Sequence, residues 1–305
     1  MKPEIAARLQ AAGMEPSAVA EILERALTED VGSGDVTSLA TIPADQHDVA
    51  EVVARAPGVV AGLAVAAAVF HAAEAVSPES GAVSDGAHVR PIAFEALATD
   101  GAAVARGDVL ATVAGPTRTL LTAERTALNL LCRMSGVATH TRRWADALEG
   151  TKAQVLDTRK TTPGLRVLEK YAVRAGGGTN KRMGLYDVAM IKDNHKIAAG
   201  GLTAAFRSVR SSYPDVPVQV EITTVAEAVE AVEAGATFLL CDNMEPALLR
   251  EVVAAVGDRA ELEATGGLTL DRVREFAETG VDYLSVGALT HSSPILDIAL
   301  DLRLR

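Results

Sequence analysis

The sequence is poor in aromatic residues and cysteine and contains no long hydrophobic run. Aromatic residues make up 3% of the 305 residues, so the core must consist mainly of Ala, Val and Leu. The two cysteines, Cys132 and Cys241, lie in apolar runs, without zinc-site spacing, and fit buried thiols of a reducing cytoplasm. The longest apolar run, Val59–Phe70, has 12 residues, too few to cross a membrane. The N-terminus lacks the basic head of a secretory signal. We therefore expect a cytoplasmic globular protein without a membrane partner.

Positive charge is scarce overall but concentrated in one stretch. The formal charge of −11 argues against nucleic acid as a partner. Residues 157–195 carry eight Lys/Arg against four Asp/Glu, a net of +4, which leaves −15 on the remainder. An acidic protein with one basic stretch favours capture of a small anion over a polymer. The alternative is a solvated basic helix face, which would account for Arg166, Lys170 and Arg174.

The first 115 residues show a different pattern from the rest of the chain. They mix helical stretches with short strands around tight turns, which predicts an α/β unit. Further on, short apolar runs alternate with amphipathic helical stretches. The runs end at residues 192, 221, 242, 263 and 285, spaced by 29, 21, 21 and 22, which is typical of an α/β barrel. We predict an N-terminal domain over 1–115, a barrel over 116–290, and a final segment, 291–305, that returns to the N-terminal domain.

Charged side chains end most of the predicted barrel strands. In parallel barrels the active site lies at the C-terminal ends of the strands. The six strand-end residues are Asp157, Lys192, Glu221, Asp242, Glu263 and Ser285. Five charged ends out of six are hard to explain by packing, because a buried charge is costly unless it is paired. The sequence therefore predicts a ring of ionisable groups on one rim.

One half of this predicted rim is cationic. Arg159 offers a planar fork for a carboxylate or phosphate, and Lys160 adds a compact point charge beside it. A glycine run at 176–178 allows close backbone approach and precedes Lys181 and Arg182. Lys192 ends the next predicted strand. An aromatic or aliphatic diacid would suit this half, although an exposed basic loop is the simpler alternative.

The other half is acidic and is followed by glycine-bearing loops. Glu221 and Asp242 end successive strands, and such a pair can bind Mg²⁺, hold sugar hydroxyls or stabilise positive charge. Internal salt bridges to nearby lysines would also explain them. Phosphate commonly binds in the loops after the last two barrel strands, where the candidates are Thr265, Gly266, Gly287 and His291. His291 could equally cap a helix or pack, and His195 could have a structural hydrogen-bonding role.

Several of these segments resemble the motifs of the quinolinate phosphoribosyltransferase family, the carboxylating nicotinate-nucleotide pyrophosphorylases of NAD synthesis. The segments at the predicted rim are Asp157–Arg166, Lys170–Val173, Gly176–Gly178 and Ile191–His195. Further matches are Leu27–Thr37, Glu124–Asn129, Met134–Thr139, Leu240–Met244, Glu263–Gly267 and Thr279–Ser292. The resemblance runs in order from about residue 20 to the end. It implies an incomplete (β/α) barrel with an N-terminal α/β sandwich domain, assembled as a homodimer, with a higher oligomer left open.

The resemblance also implies a reaction and a set of roles. Quinolinate would attack C1 of phosphoribosyl pyrophosphate, pyrophosphate would leave with Mg²⁺, and the 2-carboxylate would be lost as CO₂. The implied carboxylate ligands are Arg159, Lys181, Arg182 and Lys192, with Arg125 reaching in from the partner subunit. Lys160, Glu221 and Asp242 would line the ribose, pyrophosphate and Mg²⁺ side, and Thr265, Gly266, Gly287 and His291 would hold the 5-phosphate.

Two positions depart from the family pattern. Asn180-Lys181-Arg182 stands where the family usually has Asn-His-Arg, and Gln219 stands where an acid is common. The charge of Lys181 does not depend on titration near pH 7, and its reach is longer than that of histidine. One alternative is therefore a paralogous phosphoribosyltransferase that acts on another pyridine carboxylate. A second is a non-catalytic protein that senses phosphoribosyl pyrophosphate or a nucleotide.

Overall fold

The structure is a computed structural model that describes residues 1–76 and 91–303. Within these ranges the helices are α1 (Pro3–Ala11), α2 (Pro16–Val31), α3 (Val36–Thr41), α4 (Leu63–Val76), α5 (Thr117–Ala147), α6 (Arg166–Ala175), α7 (Asp193–Ala199), α8 (Leu202–Ser212), α9 (Val225–Glu233), α10 (Pro246–Val256), α11 (Val273–Ala277) and α12 (Ala288–His291). The strands are β1 (His47–Ala54), β2 (Gly58–Val59), β3 (Ala93–Ala96), β4 (Ala103–Val104), β5 (Val109–Pro116), β6 (Gln154–Leu156), β7 (Ala189–Ile191), β8 (Val218–Ile222), β9 (Phe238–Asp242), β10 (Glu261–Thr265), β11 (Tyr283–Ser285) and β12 (Ile298–Leu302). None of the described helices is long and apolar enough to span a bilayer.

The chain forms two compact units. The first consists of residues 1–140, 162–176 and 293–305, and the second of residues 141–161 and 177–292. The first unit contains an antiparallel sheet with the strand order β12-β1-β5-β3. The C-terminal strand β12 therefore pairs with the first strand of the chain, with Val52 opposite Leu300.

This division differs from the predicted boundary between residues 115 and 116. Helix α5 follows β5 directly, and most of its length belongs to the first unit. The reason is its apolar face, since Leu128 and Leu131 share one buried cluster with Val52 and Leu110 of the sheet. Burying that face against the sheet stabilises the helix more than its own propensity does. The compact units therefore do not divide at the start of α5, because the first unit continues to residue 140.

The second unit is built on a six-stranded parallel sheet. Its strand order is β6-β11-β10-β9-β8-β7, with helices between successive strands from β7 to β11. Strand β8 is buried at all five positions, as expected for a parallel strand that is covered on both faces. Among the described strands β6 and β7 do not pair with each other, although Thr179 forms a parallel bridge to Leu156 beside β6. The unit is thus barrel-like but not closed, which confirms the predicted incomplete barrel.

One predicted strand end is wrong. Strand β10 continues to Thr265, which pairs with Asp242 of β9 and Ser285 of β11. Glu263 therefore lies two residues before the strand end and is only 7% exposed. The apolar run breaks at Glu263, but the backbone ladder continues because its hydrogen bonds do not depend on side-chain polarity. Glu263 belongs to the interior of the barrel and not to its rim.

Candidate active site

A cavity of about 350 Å³ lies in the second unit and reaches from the C-terminal ends of the strands to Phe238 at the start of β9. Eight of the candidate residues line it: Arg159, Lys160, Lys181, Arg182, Lys192, Glu221, Asp242 and Thr265. These residues come from six segments that are far apart in sequence, and the parallel sheet brings them together because its strands end at one edge. A volume of this size is suitable for a small molecule.

The cationic side of the cavity is built around two arginines. Burial and the neighbouring charge of Arg159 lower the pKa of Arg182. The Arg182 guanidinium donates from Nε to the carbonyl of Gly184 at 3.0 Å, and its Nη1 lies 3.2 Å from Sδ of Met190. Two like charges held this close favour an anion between them, since each cation raises the energy of the other. The pair is therefore suited to a carboxylate or a phosphate.

The loop that carries Arg182 is held by Asp187. The backbone amides of Met183 and Gly184 donate to its carboxylate at 2.6 Å and 3.0 Å. Burial alone would raise the pKa of Asp187, but these amide hydrogen bonds bring it below its usual value. Asp187 thus stays ionised and fixes the loop, including the Gly184 carbonyl that orients Arg182. Sequence reasoning missed this role, because Asp187 stands outside every motif.

The acidic side meets the cationic side at Glu221. This carboxylate is 8% exposed, and its Oε2 lies 3.7 Å from Nζ of Lys192. Asp242 accepts a hydrogen bond at Oδ2 from Nδ2 of Asn243 at 2.9 Å. Asn243 itself has a φ of 52°, a left-handed conformation that is uncommon outside glycine. The alternative of internal salt bridges is thus borne out for Glu221, and the ion pair leaves both groups at the cavity.

The glycine-bearing loops contribute unequally. Thr265 lines the cavity, whereas Gly266, Gly287 and His291 are not among its lining residues in the described chain. A Cβ added at Gly287 would lie 2.9 Å from Cδ of Lys160 and 3.2 Å from Nε2 of His291, so these three residues are packed together. His291 Nδ1 also contacts Oγ of Ser292 at 2.7 Å, in line with the packing alternative. His195 accepts a hydrogen bond at Nδ1 from the backbone amide of Lys192, which confirms its structural role.

The cavity extends into a polar part of the barrel interior, where Asp157, Gln219, Glu263 and Ser285 also line it. Gln219 donates to Glu263 at 2.6 Å, Ser285 also bonds this carboxyl, and Asn180 donates to Asp157 at 2.5 Å. Burial raises the pKa of Glu263, and the hydrogen bonds only partly oppose this. Sequence reasoning noted Gln219 only as a departure from a pattern. The alternation Glu261, Glu263, Thr265 along β10 was the signal that one face of this strand points inward.

Lys181 lines the cavity, and its ammonium group already has an anionic and two aromatic partners. It pairs with the carboxylate of Glu261 and lies 3.8 Å and 3.9 Å from the ring centroids of Phe238 and Tyr283. These three partners are the first residues of β10, β9 and β11. The ammonium is thus directed towards the starts of the strands, where Phe238 also lines the cavity.

The remaining predicted cations lie in the first unit. Arg125 occupies an exposed position on α5, and Arg166, Lys170 and Arg174 lie on α6. Lys170 is only 1% exposed, so the alternative of a solvated basic face is wrong for this residue. Residues 157–195 are therefore one stretch in sequence but not one site, because 162–176 belong to a different unit from the flanking residues.

The donor set fits Mg²⁺ only if a substrate completes the coordination. Within the described residues, no cluster of three or more His, Cys, Asp or Glu side chains could hold a metal ion. Glu221 and Asp242 are two carboxylates on neighbouring strands that both line the cavity. Mg²⁺ is commonly held by one or two carboxylates together with substrate phosphates and water. The pair matches that arrangement.

Solved structures share this fold. The structure of NadC from Streptococcus pyogenes is 34% identical and superposes with a TM-score of 0.86, covering 95% of this chain and 99% of that one. A nicotinate-nucleotide pyrophosphorylase from Francisella tularensis is 31% identical, with a TM-score of 0.86 and coverage of 94% and 96%. The two-unit architecture, with a sheet domain and an unclosed barrel, is therefore that of the nicotinate-nucleotide pyrophosphorylase class.

The sequence comparisons narrow this class to one family. Residues 35–135 match the model of the quinolinate phosphoribosyl transferase N-terminal domain, and residues 137–301 match that of its C-terminal domain. The carboxylating nicotinate-nucleotide pyrophosphorylase of Mycobacterium leprae is 45% identical over 94% of this chain and 98% of its own length. The chain belongs to the quinolinate phosphoribosyltransferase family.

Proposed function

We propose that this protein transfers a phosphoribosyl group from phosphoribosyl pyrophosphate to quinolinate and releases pyrophosphate, CO₂ and nicotinate mononucleotide. The observation that carries the proposal is the cavity of the second unit, where two arginines and a lysine face a pair of carboxylates. Relatives with this printed activity are similar over nearly the whole chain, as in the 41% identical probable carboxylating enzyme of Bacillus subtilis, matched over 93% of both chains. The reaction belongs to NAD biosynthesis.

The cationic side binds the acid in this proposal. Quinolinate carries two adjacent carboxylates, and Arg159, Arg182 and Lys192 offer two planar forks and one point charge to them. The ion pair between Lys192 and Glu221 joins the acid side to the sugar side. Binding in this way would hold the pyridine nitrogen in line with C1 of the ribose, and such positioning supplies much of the acceleration of a two-substrate reaction.

The acidic side binds the activated sugar. As the bond from C1 to pyrophosphate breaks, C1 gains positive charge, which the carboxylates of Glu221 and Asp242 stabilise electrostatically. Lys160 offsets the negative charge that develops on the departing oxygen, and Thr265, Gly266, Gly287 and His291 hold the 5-phosphate end. Glu221 and Asp242 would also hold a Mg²⁺ ion, which supplies charge neutralisation of the pyrophosphate when it is bound.

The nitrogen–C1 bond forms while the C1–oxygen bond breaks, and this leaves the ring nitrogen cationic. The bond between C2 and its carboxylate then breaks, and the electron pair stays at C2 beside the cationic nitrogen. CO₂ leaves and a proton is added at C2. The chain's residues contribute by holding the remaining carboxylate and excluding water, because the ring itself acts as the electron sink.

We also propose a homodimer in which Arg125 reaches the acid site of the partner subunit. The support is its exposed position on α5 together with the family resemblance of Glu124–Asn129. A cytoplasmic location is proposed on the two buried free thiols, Cys132 and Cys241. Burial raises the pKa of the Cys241 thiol to about 12, as expected for an unreactive core cysteine.

A panel of pyridine carboxylates tests the proposed reaction. The purified protein is assayed with phosphoribosyl pyrophosphate and Mg²⁺ for release of pyrophosphate and of CO₂, with Glu221→Gln as the inactive control. We expect release of both products with quinolinate. With pyridine monocarboxylates we expect pyrophosphate release to be much slower. Release with another acid but not with quinolinate would favour the paralogous enzyme, and no release with any acid would favour the sensing protein.

A further inference from the structure

The ammonium group of Lys181 lies in a cluster of three side chains at the starts of three barrel strands. Its partners are the carboxylate of Glu261 and the rings of Phe238 and Tyr283. The two rings meet edge to face, with centroids 6.3 Å apart and planes at 74°. The Tyr283 hydroxyl lies 3.5 Å from the second oxygen of Glu261, so the same carboxylate holds both a cation and a phenol. The Lys181 side chain is only 23% exposed.

We propose that Lys181 is a positioning residue, which tethers the segment Asn180–Arg182 across the barrel interior to the starts of β9, β10 and β11 and so sets where Arg182 meets the acid. The inference rests on the proposed function for the identity of the acid. It differs from the role implied by resemblance, in which Lys181 would itself contact the substrate.

The first support is the direction of the Lys181 side chain and the number of partners that its ammonium group already has. The cavity reaches from Lys192 and Asp242 at the strand ends to Phe238 at the start of β9. Lys181 contacts the first residues of three strands. To bind the acid it would have to leave an ion pair and two aromatic faces, each of which is attractive to a cation. The cluster therefore competes with the acid for the ammonium of Lys181.

The second support is how the segment is attached to the barrel. Thr179 forms a single parallel bridge to Leu156, and residues 180–182 belong to none of the described strands. Side chains must therefore position them, and they do so in three directions. Asn180 donates to Asp157, Lys181 reaches the cluster, and Arg182 turns to Gly184 and Met190 at the cavity. Releasing Lys181 would free the residue next to Arg182.

A double-mutant cycle with Glu261 tests the tether. The variants are Lys181→Met, Glu261→Ala and the double substitution, and the matched control is Lys152→Met, which removes an exposed ion pair with Asp282 in the same unit. Lys181→Met and Glu261→Ala should each raise the KM for quinolinate about threefold to tenfold, with the double variant no worse than either. The KM for phosphoribosyl pyrophosphate and kcat should change less, and Lys181→Arg should restore the KM because guanidinium also stacks on aromatic rings.

If Lys181 instead contacts the acid directly, the expected result for Glu261→Ala is the opposite. Glu261→Ala would then free Lys181 and leave the KM for quinolinate unchanged or lower, while Lys181→Met alone would raise it. That result would overturn the proposal, and so would equal effects on both substrates. The melting temperatures of the four ligand-free proteins give a second cycle, in which a tether predicts non-additive losses. If wild-type protein were inactive with quinolinate, the proposed function would fail while this second cycle still decided whether the tether exists.

Discussion

Asp242 is held at the cavity by the residue that follows it and by a glycine directly after the next strand. Asn243 adopts a positive φ, donates its side-chain amide to Asp242, and its backbone amide bonds the carbonyl of Thr265 at 2.9 Å. A Cβ on Gly266 would lie 2.1 Å from Oδ1 of Asn243. Gly266 therefore supplies the space that this arrangement needs, in addition to the phosphate contact proposed for it.

Gly266→Ala should disturb Asp242, whereas the neighbouring Gly267→Ala should not. Both glycines have positive φ, 94° and 61°, so each substitution introduces backbone strain of about 1–3 kcal/mol. Only Gly266→Ala also collides with Asn243, since nothing lies within 4 Å of a Cβ at Gly267. We expect kcat for pyrophosphate release to fall by about tenfold or more in Gly266→Ala alone, because small displacements of reacting groups are costly. Equal rates in the two variants would show that Asn243 does not position Asp242.

At the scale of the element, β10 carries two different chemistries on its two faces. Leu262 and Ala264 are buried apolar residues, whereas Glu261, Glu263 and Thr265 line the barrel from its start to its rim. Barrel interiors are usually filled by bulky branched residues. Here the interior is polar, and Glu263 depends on Gln219 and Ser285 for its hydrogen bonds. Such an interior is costly to ionise, which makes the stability of this unit depend on pH.

Glu263→Gln should stabilise the protein at alkaline pH and have little effect at acidic pH. Burial raises the pKa of Glu263 in the folded protein above its ordinary value of 4.5. Below that ordinary value both states are protonated and no cost arises, whereas at higher pH only the unfolded state ionises freely, so folding is disfavoured. The variant's gain in melting temperature should therefore be near zero at about pH 4 and grow towards about pH 8. A gain that does not change with pH would mean that Glu263 is ionised at little cost.

At the scale of the whole molecule, the proposed assembly divides each site between two chains. The cavity of the second unit contains all of its proposed acid ligands except Arg125, which lies in the first unit. If Arg125 is supplied by the partner subunit, two inactive variants can complement each other. A chain that lacks only Arg125 keeps its own Glu221, and its partner keeps Arg125.

Arg125→Ala and Glu221→Ala should be nearly inactive alone and active when mixed after subunit exchange. Half of the randomly formed dimers pair the two variants, and each has one intact site of two, so about a quarter of wild-type activity should return. The pair Lys192→Ala and Glu221→Ala is the control, because both substitutions fall in the same cavity and each chain of a mixed dimer is therefore defective at its own site. Both chains of the control pair keep Arg125, but neither keeps a complete cavity. We therefore expect no recovery of activity when these two variants are mixed. No recovery with Arg125→Ala would place this residue outside the neighbouring site.

Sequence reasoning reached the architecture and most of the site because both depend on patterns that are local or repeated. The βα spacing placed Lys192, Glu221 and Asp242 at strand ends, since a parallel sheet brings residues at equivalent points of successive repeats to one edge. The motif around Arg159 and Lys160 likewise led to residues that line the cavity. These conclusions needed only the order and spacing of residues along the chain.

Tertiary structure alone decided where long side chains point and which segments pack together. Lys181 and Arg182 are adjacent in sequence, yet the ammonium of one pairs with Glu261 at the start of β10 and the guanidinium of the other turns to the carbonyl of Gly184. Residues 162–176 leave the barrel for the first unit, where the buried side chain of Glu169 pairs with Arg133. A count of charges along the chain treats all these residues alike, because it does not show where their side chains point or how far apart they lie.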